Sequence, residues 1–256
     1  MKQNKKSPLK AKPLRVSGQS VQEEINDLID DKMLPWFIMA LVSVVLAGLE
    51  WYRAIFSTPP APTTYSIVAA FFVLFAALKI IRGRKRLDSL KLGRDGERAV
   101  AQYLEGLRTQ GFSVFHDIVG EDFNLDHVLI GPQGIFTIET KTISKPARGE
   151  TKIQYDGQSV WIQGFKPDRD PIVQAKAQAG WLKELLKDST GKDTPIRPVV
   201  VYPGWYISSP KSKRPDVWVL NPKALPTFLS NEPEVLDSSD RELFSYHLSR
   251  HIRTTD

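Results

Sequence analysis

The chain has 256 residues, with 35 Lys and Arg against 29 Asp and Glu, and so a formal net charge of +6. This balance allows a polyanionic partner without requiring one. The absence of cysteine excludes disulfides and thiolate metal sites.

The first 32 residues are predicted to form a basic cytoplasmic tail. Residues 1–20 contain five lysines, one arginine and no acid, with little apolar content, and are expected to be disordered. Val21, Ile25 and Leu28 then recur at helical spacing. They predict a short helix on the protein surface or beside a membrane.

Residues 33–87 are predicted to hold two transmembrane helices, at about 33–52 and 64–81. Each segment is apolar over close to the roughly 20 residues that cross a bilayer, and Trp36 and Trp51 suit the aromatic belts at its interfaces. Basic residues precede the first span and follow the second. The positive-inside rule therefore predicts a two-span protein of the inner (cytoplasmic) membrane with both termini in the cytoplasm. The alternative is two buried helices of a soluble core, but neither segment has a polar face.

From residue 88 the composition becomes that of a globular domain, predicted to occupy 88–256. Asp95 can cap a helix that runs to about Leu107, and an edge strand is expected at 112–115. The further predicted elements are a hairpin at 151–163, strands at 198–202 and 217–220, and helices from Pro171 to about Lys187, from Pro222, and from Arg241 to Ile252.

The most informative stretch is a predicted hairpin within residues 124–141. Its strands, 128–130 and 135–138, are β-branched and apolar, and proline and glycine between them mark a turn. Strand side chains alternate between faces, so Glu139 and Lys141 are expected to point the same way.

The turn decides how Asp126 meets Glu139. A two-residue loop at Pro132 and Gln133 sets the two acids opposite each other, whereas a bulge at Gly134 shifts the register by one residue. In either register two carboxylates and the Lys141 amine converge at one end of the hairpin. Facing carboxylates repel, and a divalent cation with oxygen ligands relieves that repulsion. The hairpin therefore predicts a metal-dependent phosphodiesterase site.

Two helices add polar side chains on their inward stripes. Glu97 shares its stripe with Val100 and Leu104, where an unpaired carboxylate is costly. The alternative is a first-turn acid that the helix dipole favours. Gln174 and Gln178 lie at i and i+4 on the helix that starts at Pro171. A role in the site is favoured for Gln174 and less so for Gln178, the alternative being a boundary position at the helix start.

Together these motifs resemble the nuclease-related domain (NERD) family of the restriction-endonuclease-like, PD-(D/E)xK group. The resemblance covers about residues 90–210 and rests on the order of Gly93 to Glu97, Asp126 to Lys141, and the Gln174 helix. It implies an α/β fold with a restriction-endonuclease-like central mixed β-sheet flanked by helices, here preceded by a transmembrane helical hairpin. Thr140 stands where an apolar residue is usual and His127 follows the aspartate, but neither departure removes a required group.

The resemblance implies a metal site built from four residues. Asp126 and Glu139 would bind the ion, the Thr140 carbonyl would be a backbone ligand, and Glu97 would help directly or through water. Hard oxygen ligands suit Mg²⁺ or Mn²⁺ rather than zinc.

The resemblance also gives roles to residues that do not bind the metal. Lys141 would orient or deprotonate the attacking water, and Gln174 would position water or a phosphate. Just past the active strand, Lys145, Arg148 and Lys152 can hold phosphates, or can belong to a solvated loop.

These observations predict a membrane-anchored, Mg²⁺-dependent nuclease that hydrolyses DNA phosphodiester bonds on the cytoplasmic side. DNA is the expected substrate and the lipid bilayer the expected second partner. The alternative is a catalytically silent module of the same fold that binds nucleic acid or a protein partner at the membrane, with its basic tails held by anionic lipid.

Overall fold

The computed structural model describes residues 14–56, 61–120, 123–145, 152–209 and 215–255. Contacts divide the chain into two compact units. The helical unit is Ser20–Leu92, and the sheet unit is Met1–Gln19 together with Gly93–Asp256.

The helical unit contains two long helical runs. The first consists of α1 (Gln19–Asp27), a π-helical segment (Leu28–Met33) and α2 (Leu34–Ile55), and the second is the start of α3 (Pro62–Glu105). Both runs are long and apolar enough to cross a membrane.

Side chains of α2 contact the first half of α3. The Trp51 indole N–H donates to the Ser66 hydroxyl at 3.0 Å, and the rings of Trp36 and Phe75 meet edge to face at 4.7 Å. The most apolar stretches of the two runs are almost entirely unburied. That exposure does not fit the alternative of two buried helices in a soluble core.

The predicted helix start at Asp95 is wrong, because α3 continues without a break from Pro62 to Glu105. Asp95 lies inside this helix and forms an ion pair with Arg94 at 2.7 Å. The connecting residues 82–92 are rich in arginine, lysine and leucine, which favour helix, and contain no proline to end it.

The predicted central mixed sheet is confirmed. Its first three strands are antiparallel neighbours, and the last two join the third in parallel. In spatial order the strands are β1 (Ser113–Val119), β2 (Asn124–Gly131), β3 (Gly134–Thr140), β6 (Ile196–Val201) and β8 (Trp218–Leu220).

A second, three-stranded sheet lies beside the first. Its order is β5 (Val160–Ile162), β4 (Lys152–Tyr155), β7 (Tyr206–Ser208). The β4–β5 hairpin was expected, but β7 was not. Three residues with one exposed tyrosine do not carry a recognisable alternating pattern.

Helices cover both faces of the central sheet. On one face, Val100 and Leu104 of α3 pack with Leu225 and Leu229 of α5 (Leu225–Ser230). On the other, α4 (Pro171–Thr190) and α6 (Ser238–Thr255) bury apolar stripes that include Leu182, Leu186, Phe244 and Leu248. The Asp170 carboxylate caps α4 by accepting from the Ile172 N–H at 2.9 Å, as the Asp-Pro sequence predicts.

The end of the predicted basic tail is ordered in the sheet unit. Ser17 and Gly18 are buried, and the Arg15 side chain is only 8% exposed. The expectation of disorder is therefore wrong for residues 14–19, while residues 1–13 lie outside the described part of the chain.

Candidate active site

Strand register sets three acids in a row at one end of the central sheet. The pairs between β2 and β3 run from Gly131 with Gly134 to His127 with Ile138. The turn is therefore the two-residue loop, and the next position places Asp126 opposite Glu139. The register between β1 and β2 places Asp117 opposite Asp126 in the same way.

Glu139 is the most constrained acid of the row, being 4% exposed. Its Oε1 accepts from the Lys141 ammonium and from the Gln174 amide, each at 2.7 Å. Its Oε2 accepts from the Gln178 amide at 2.6 Å. Lys141 also donates to the Gln174 carbonyl oxygen at 2.7 Å, which closes a ring of three hydrogen bonds.

Gln178 contributes as directly as Gln174, although the helical pattern favoured a role for it less strongly. It is 3% exposed, and its amide nitrogen joins Glu139 to the Asn124 carbonyl oxygen, at 3.1 Å. Two residues one helical turn apart thus hold the two oxygens of one carboxylate.

Asp126 is held by the neighbouring strand. The backbone N–H of Thr140 donates to its Oδ2 at 2.6 Å. Burial raises the pKa of Asp126 well above its ordinary value, and the nearby Glu139 and Glu97 raise it further. The acids are thus close enough to disfavour each other's charge.

Glu97 reaches the site on α3, where close packing brings the helix against the end of β3. A Cβ on Gly96 would lie 1.7 Å from the Thr142 hydroxyl oxygen, so only glycine allows this approach. Burial, Asp117 and Glu139 together raise the pKa of Glu97 to about 7, while Lys141 acts in the opposite direction.

Asp117 and Arg15 are the site residues that the sequence did not indicate. Asp117 has a left-handed backbone, with φ 50°, and its carboxylate pairs with the Arg15 guanidinium at 2.7 Å while both side chains are buried. The same segment passes beside Glu97, since a Cβ on Gly18 would lie 3.6 Å from the Glu97 Oε2. Extending the expected edge strand by two residues would have found Asp117. No pattern singles out Arg15 among the tail's basic residues.

The predicted phosphate-binding residues are not joined to this cluster. Lys145 is exposed and lies beside Gly204, and Lys152 opens β4 opposite Tyr206. Among the described residues, no hydrogen bond or ion pair connects either lysine to the acids. Arg148 lies outside the described residues.

The donor chemistry fits a hard divalent cation. Glu97, Asp126 and Glu139 lie near enough to one another that Glu97 and Asp126 hold their protons more tightly than usual. A cation would take the place of those protons. Within the described chain, no three His, Asp or Glu side chains yet form a cluster that could hold a metal ion. Both Glu139 oxygens instead accept from protein donors.

Stability should depend on pH through Glu97. Its pKa of about 7 in the folded protein lies above the ordinary 4.5, so the folded state keeps a proton that the unfolded chain loses. Without divalent metal, the thermal unfolding midpoint of the full chain in detergent should fall as the pH rises from about 4.5 to 7. Above pH 7 the midpoint should stay constant. Glu97→Gln should make this fall smaller, since the raised pKa of Asp126 also contributes to it, and should stabilise the protein at about pH 8 by on the order of 1–2 kcal/mol.

Glu105 gives a control of opposite sign for that measurement. Arg108 and His116 lower its pKa to about 2, so its contribution is present above pH 4.5 and lost as the pH falls. Glu105→Gln should therefore destabilise the protein at neutral pH. An identical pH dependence in wild type and Glu97→Gln would contradict the account of Glu97.

Comparison with known proteins identifies the same region of the chain. Residues 92–203 match the family model described as "Nuclease-related domain". A solved structure of SfsA from Pyrococcus furiosus in complex with Ca²⁺ is similar at 17% identity, with a TM-score of 0.26. The match covers 52% of this chain and 56% of SfsA, so it spans little more than half of that protein. A TM-score this low supports no conclusion about the site. No curated protein matches the chain.

Proposed function

We propose, from the nuclease-related domain at residues 92–203, that this chain is a metal-dependent nuclease that hydrolyses DNA phosphodiester bonds at a membrane. Two apolar helical runs and the basic residues that flank them favour a two-span anchor in the inner membrane. The positive-inside rule then puts both termini and the sheet unit in the cytoplasm.

One observation carries the proposal: a lysine and several acids meet at the end of β3. Lys141 donates to Glu139 at 2.7 Å, and Glu97 and Asp126 lie near enough to Glu139 for their pKa values to rise. Such a concentration of negative charge opposes binding of a phosphate backbone. A module that only bound DNA would gain from losing these acids, whereas a metal-dependent hydrolase needs them.

The residues divide the chemistry between them. Asp126, Glu139 and the Thr140 carbonyl would hold Mg²⁺ or Mn²⁺, with Glu97 assisting, and the bound ion would polarise the phosphate and lower the pKa of water. The Lys141 ammonium is 29% exposed in its side chain and can offer a positive charge to the phosphate oxygens where charge develops.

The amide residues keep this arrangement in place. Gln174 fixes Lys141 beside Glu139 by bonding to both, and Gln178 fixes the other carboxylate oxygen. These bonds hold Glu139 and Lys141 in place before substrate binds. No further ordering of Lys141 is then needed during the reaction.

The silent module of the same fold is favoured by one specific observation. Both oxygens of Glu139 already accept hydrogen bonds from the protein, so a metal would have to displace donors to reach them. In that case the chain would bind DNA in a salt-sensitive way without cleaving it, and removing acids would leave binding unchanged or tighter.

The test uses the full chain in sealed membrane vesicles with added linear and plasmid DNA. Inverted vesicles expose the cytoplasmic face, so they should cleave DNA with Mg²⁺ or Mn²⁺ and stop with a chelator, whereas right-side-out vesicles should not cleave. Asp126→Asn should lower cleavage by about 100-fold or more. Asp216→Asn, which changes an 86% exposed acid in a surface pair with Lys176, is the matched control and should retain activity.

Each other outcome has a definite meaning. Cleavage that survives Asp126→Asn would reject the proposed site. DNA binding without cleavage in the wild type would favour the silent module. Cleavage by right-side-out vesicles alone would reverse the proposed orientation.

A further inference from the structure

A series of hydrogen bonds connects Glu105, at the protein surface, to Asp126 in the candidate site. The Glu105 carboxylate meets His116 Nε2 at 2.8 Å, and His116 Nδ1 meets His127 Nδ1 at 2.8 Å. His127 Nε2 then meets the Thr140 hydroxyl at 3.3 Å, while the Thr140 N–H holds Asp126 at 2.6 Å. His127 is fully buried, and nothing in the proposed reaction uses it.

The Glu105 end of this series fixes the direction of the first bond. The pKa of Glu105 is about 2, so its carboxylate only accepts and His116 Nε2 must carry a proton. Where His127 Nδ1 donates to His116 Nδ1, His127 Nε2 accepts from the Thr140 hydroxyl. Where His116 Nδ1 donates instead, His127 Nε2 donates to that hydroxyl, so His127 joins His116 to Thr140 in either arrangement.

His127 uses both of its ring nitrogens in these bonds. The two imidazole rings stand at 87° to each other with centroids 5.0 Å apart, an edge-to-face arrangement in which Nδ1 of each can face the other. In either arrangement of the protons, every nitrogen of the two rings has a partner.

We infer that His127 is a positioning residue: through the Thr140 hydroxyl it orients the Thr140 peptide, and so sets where Asp126 stands. Thr140 bonds to His127 through its side chain and to Asp126 through its backbone N–H, so its rotamer and its peptide plane are held together. Its carbonyl belongs to the same β3 end as Glu139 and Lys141. The inference rests on the proposed function, because the consequence of the positioning is a preformed set of metal ligands.

A purely structural role is the competing explanation, since any buried histidine needs partners. The two amide substitutions of His127 separate the explanations. In His127→Asn the amide reaches the place of Nδ1 and keeps the bond to His116 but not that to Thr140. In His127→Gln the amide reaches the place of Nε2 and keeps Thr140 but not His116. Each variant loses one buried bond, so both should be destabilised to a similar extent.

The experiment measures Mn²⁺ binding to the full chain in detergent by calorimetry, with the thermal midpoint recorded for each variant. His127→Asn should weaken Mn²⁺ binding by about tenfold, and His127→Gln should remain within about threefold of wild type. A second readout needs no metal. With ¹⁵N-threonine labelling, the Thr140 amide proton should move upfield in His127→Asn, as its bond to Asp126 lengthens, and stay in place in His127→Gln.

The outcomes separate this inference from the proposed function. Equal losses of Mn²⁺ affinity in both variants, or no loss in either, would overturn it. If the wild type binds no Mn²⁺, the proposed metal-dependent function is wrong. The Thr140 amide resonance then tests the positioning role of His127 without metal. A Thr140 shift in His127→Asn but not in His127→Gln then supports the positioning role, and equal behaviour in both variants rejects it.

Discussion

Glu139→Gln is expected to lower metal-dependent DNA cleavage by about 10³-fold. The substitution keeps the size of the side chain but removes its charge and replaces one acceptor oxygen with a donor. Lys141 then loses the anion that it pairs with at 2.7 Å, and the proposed metal loses a ligand. Gel-based cleavage rates in inverted vesicles, with Mg²⁺ or Mn²⁺ in excess, measure the effect.

The same change has a predictable effect on stability. The new amide nitrogen would face the Gln178 nitrogen, and Gln178 cannot simply turn over, because it also donates to the Asn124 carbonyl oxygen. One buried donor is left without a partner, at about 1–3 kcal/mol. The control Glu184→Gln alters an exposed acid on the same helix, α4, and should change neither quantity. Cleavage by Glu139→Gln at a rate near that of the wild type would exclude Glu139 from the reaction.

Gly96→Ala is expected to abolish most activity although it changes no chemical group of the site. The added Cβ would lie 1.7 Å from the Thr142 hydroxyl oxygen and 2.7 Å from its Cβ, so the helix has to move away from β3. That movement carries Glu97, the next residue, out of the acid cluster. We expect a loss of about 100-fold in cleavage and of about 1–3 kcal/mol in stability.

The chain offers a matched control and a rescue for this prediction. Gly93 lies one turn earlier on α3, and nothing is within 4 Å of a Cβ at that position. Gly93→Ala should therefore stabilise the helix by up to about 1 kcal/mol without affecting cleavage. Adding Thr142→Gly to Gly96→Ala removes the clashing atoms and should restore part of the activity. Full activity in Gly96→Ala alone would show that the close approach of α3 is not required.

The hairpin and its neighbours were predictable because local pattern specifies them. The alternation of side chains along a strand placed Glu139 and Lys141 on one face. Pro132 and Gln133 suited a tight loop, so only two registers of the hairpin remained possible. The Asp-Pro sequence before Pro171 marked the start of α4 and with it the stripe of Gln174. In each of these cases the residues that decide the structure are near each other in sequence.

The remaining features depend on contacts between distant residues. The Glu139 carboxylate accepts from both Gln174 and Gln178, one amide on each oxygen. This pairing depends on how α4 packs over β3, which the local sequence pattern does not specify. Arg15 finds Asp117 across a sequence separation of 102 residues, and periodicity holds no information on that pairing.

That long-range ion pair joins two parts of the sheet unit that the helical unit separates in sequence. Since residues up to Gln19 belong with the sheet unit, the helical unit is inserted within the sequence of the sheet unit. Cutting the chain at residue 88 would discard Arg15 and so break this buried ion pair, a loss of about 3–5 kcal/mol. Gly18 lies against Arg94, so a short linker that replaces residues 20–92 would give a soluble protein with its ion pair intact.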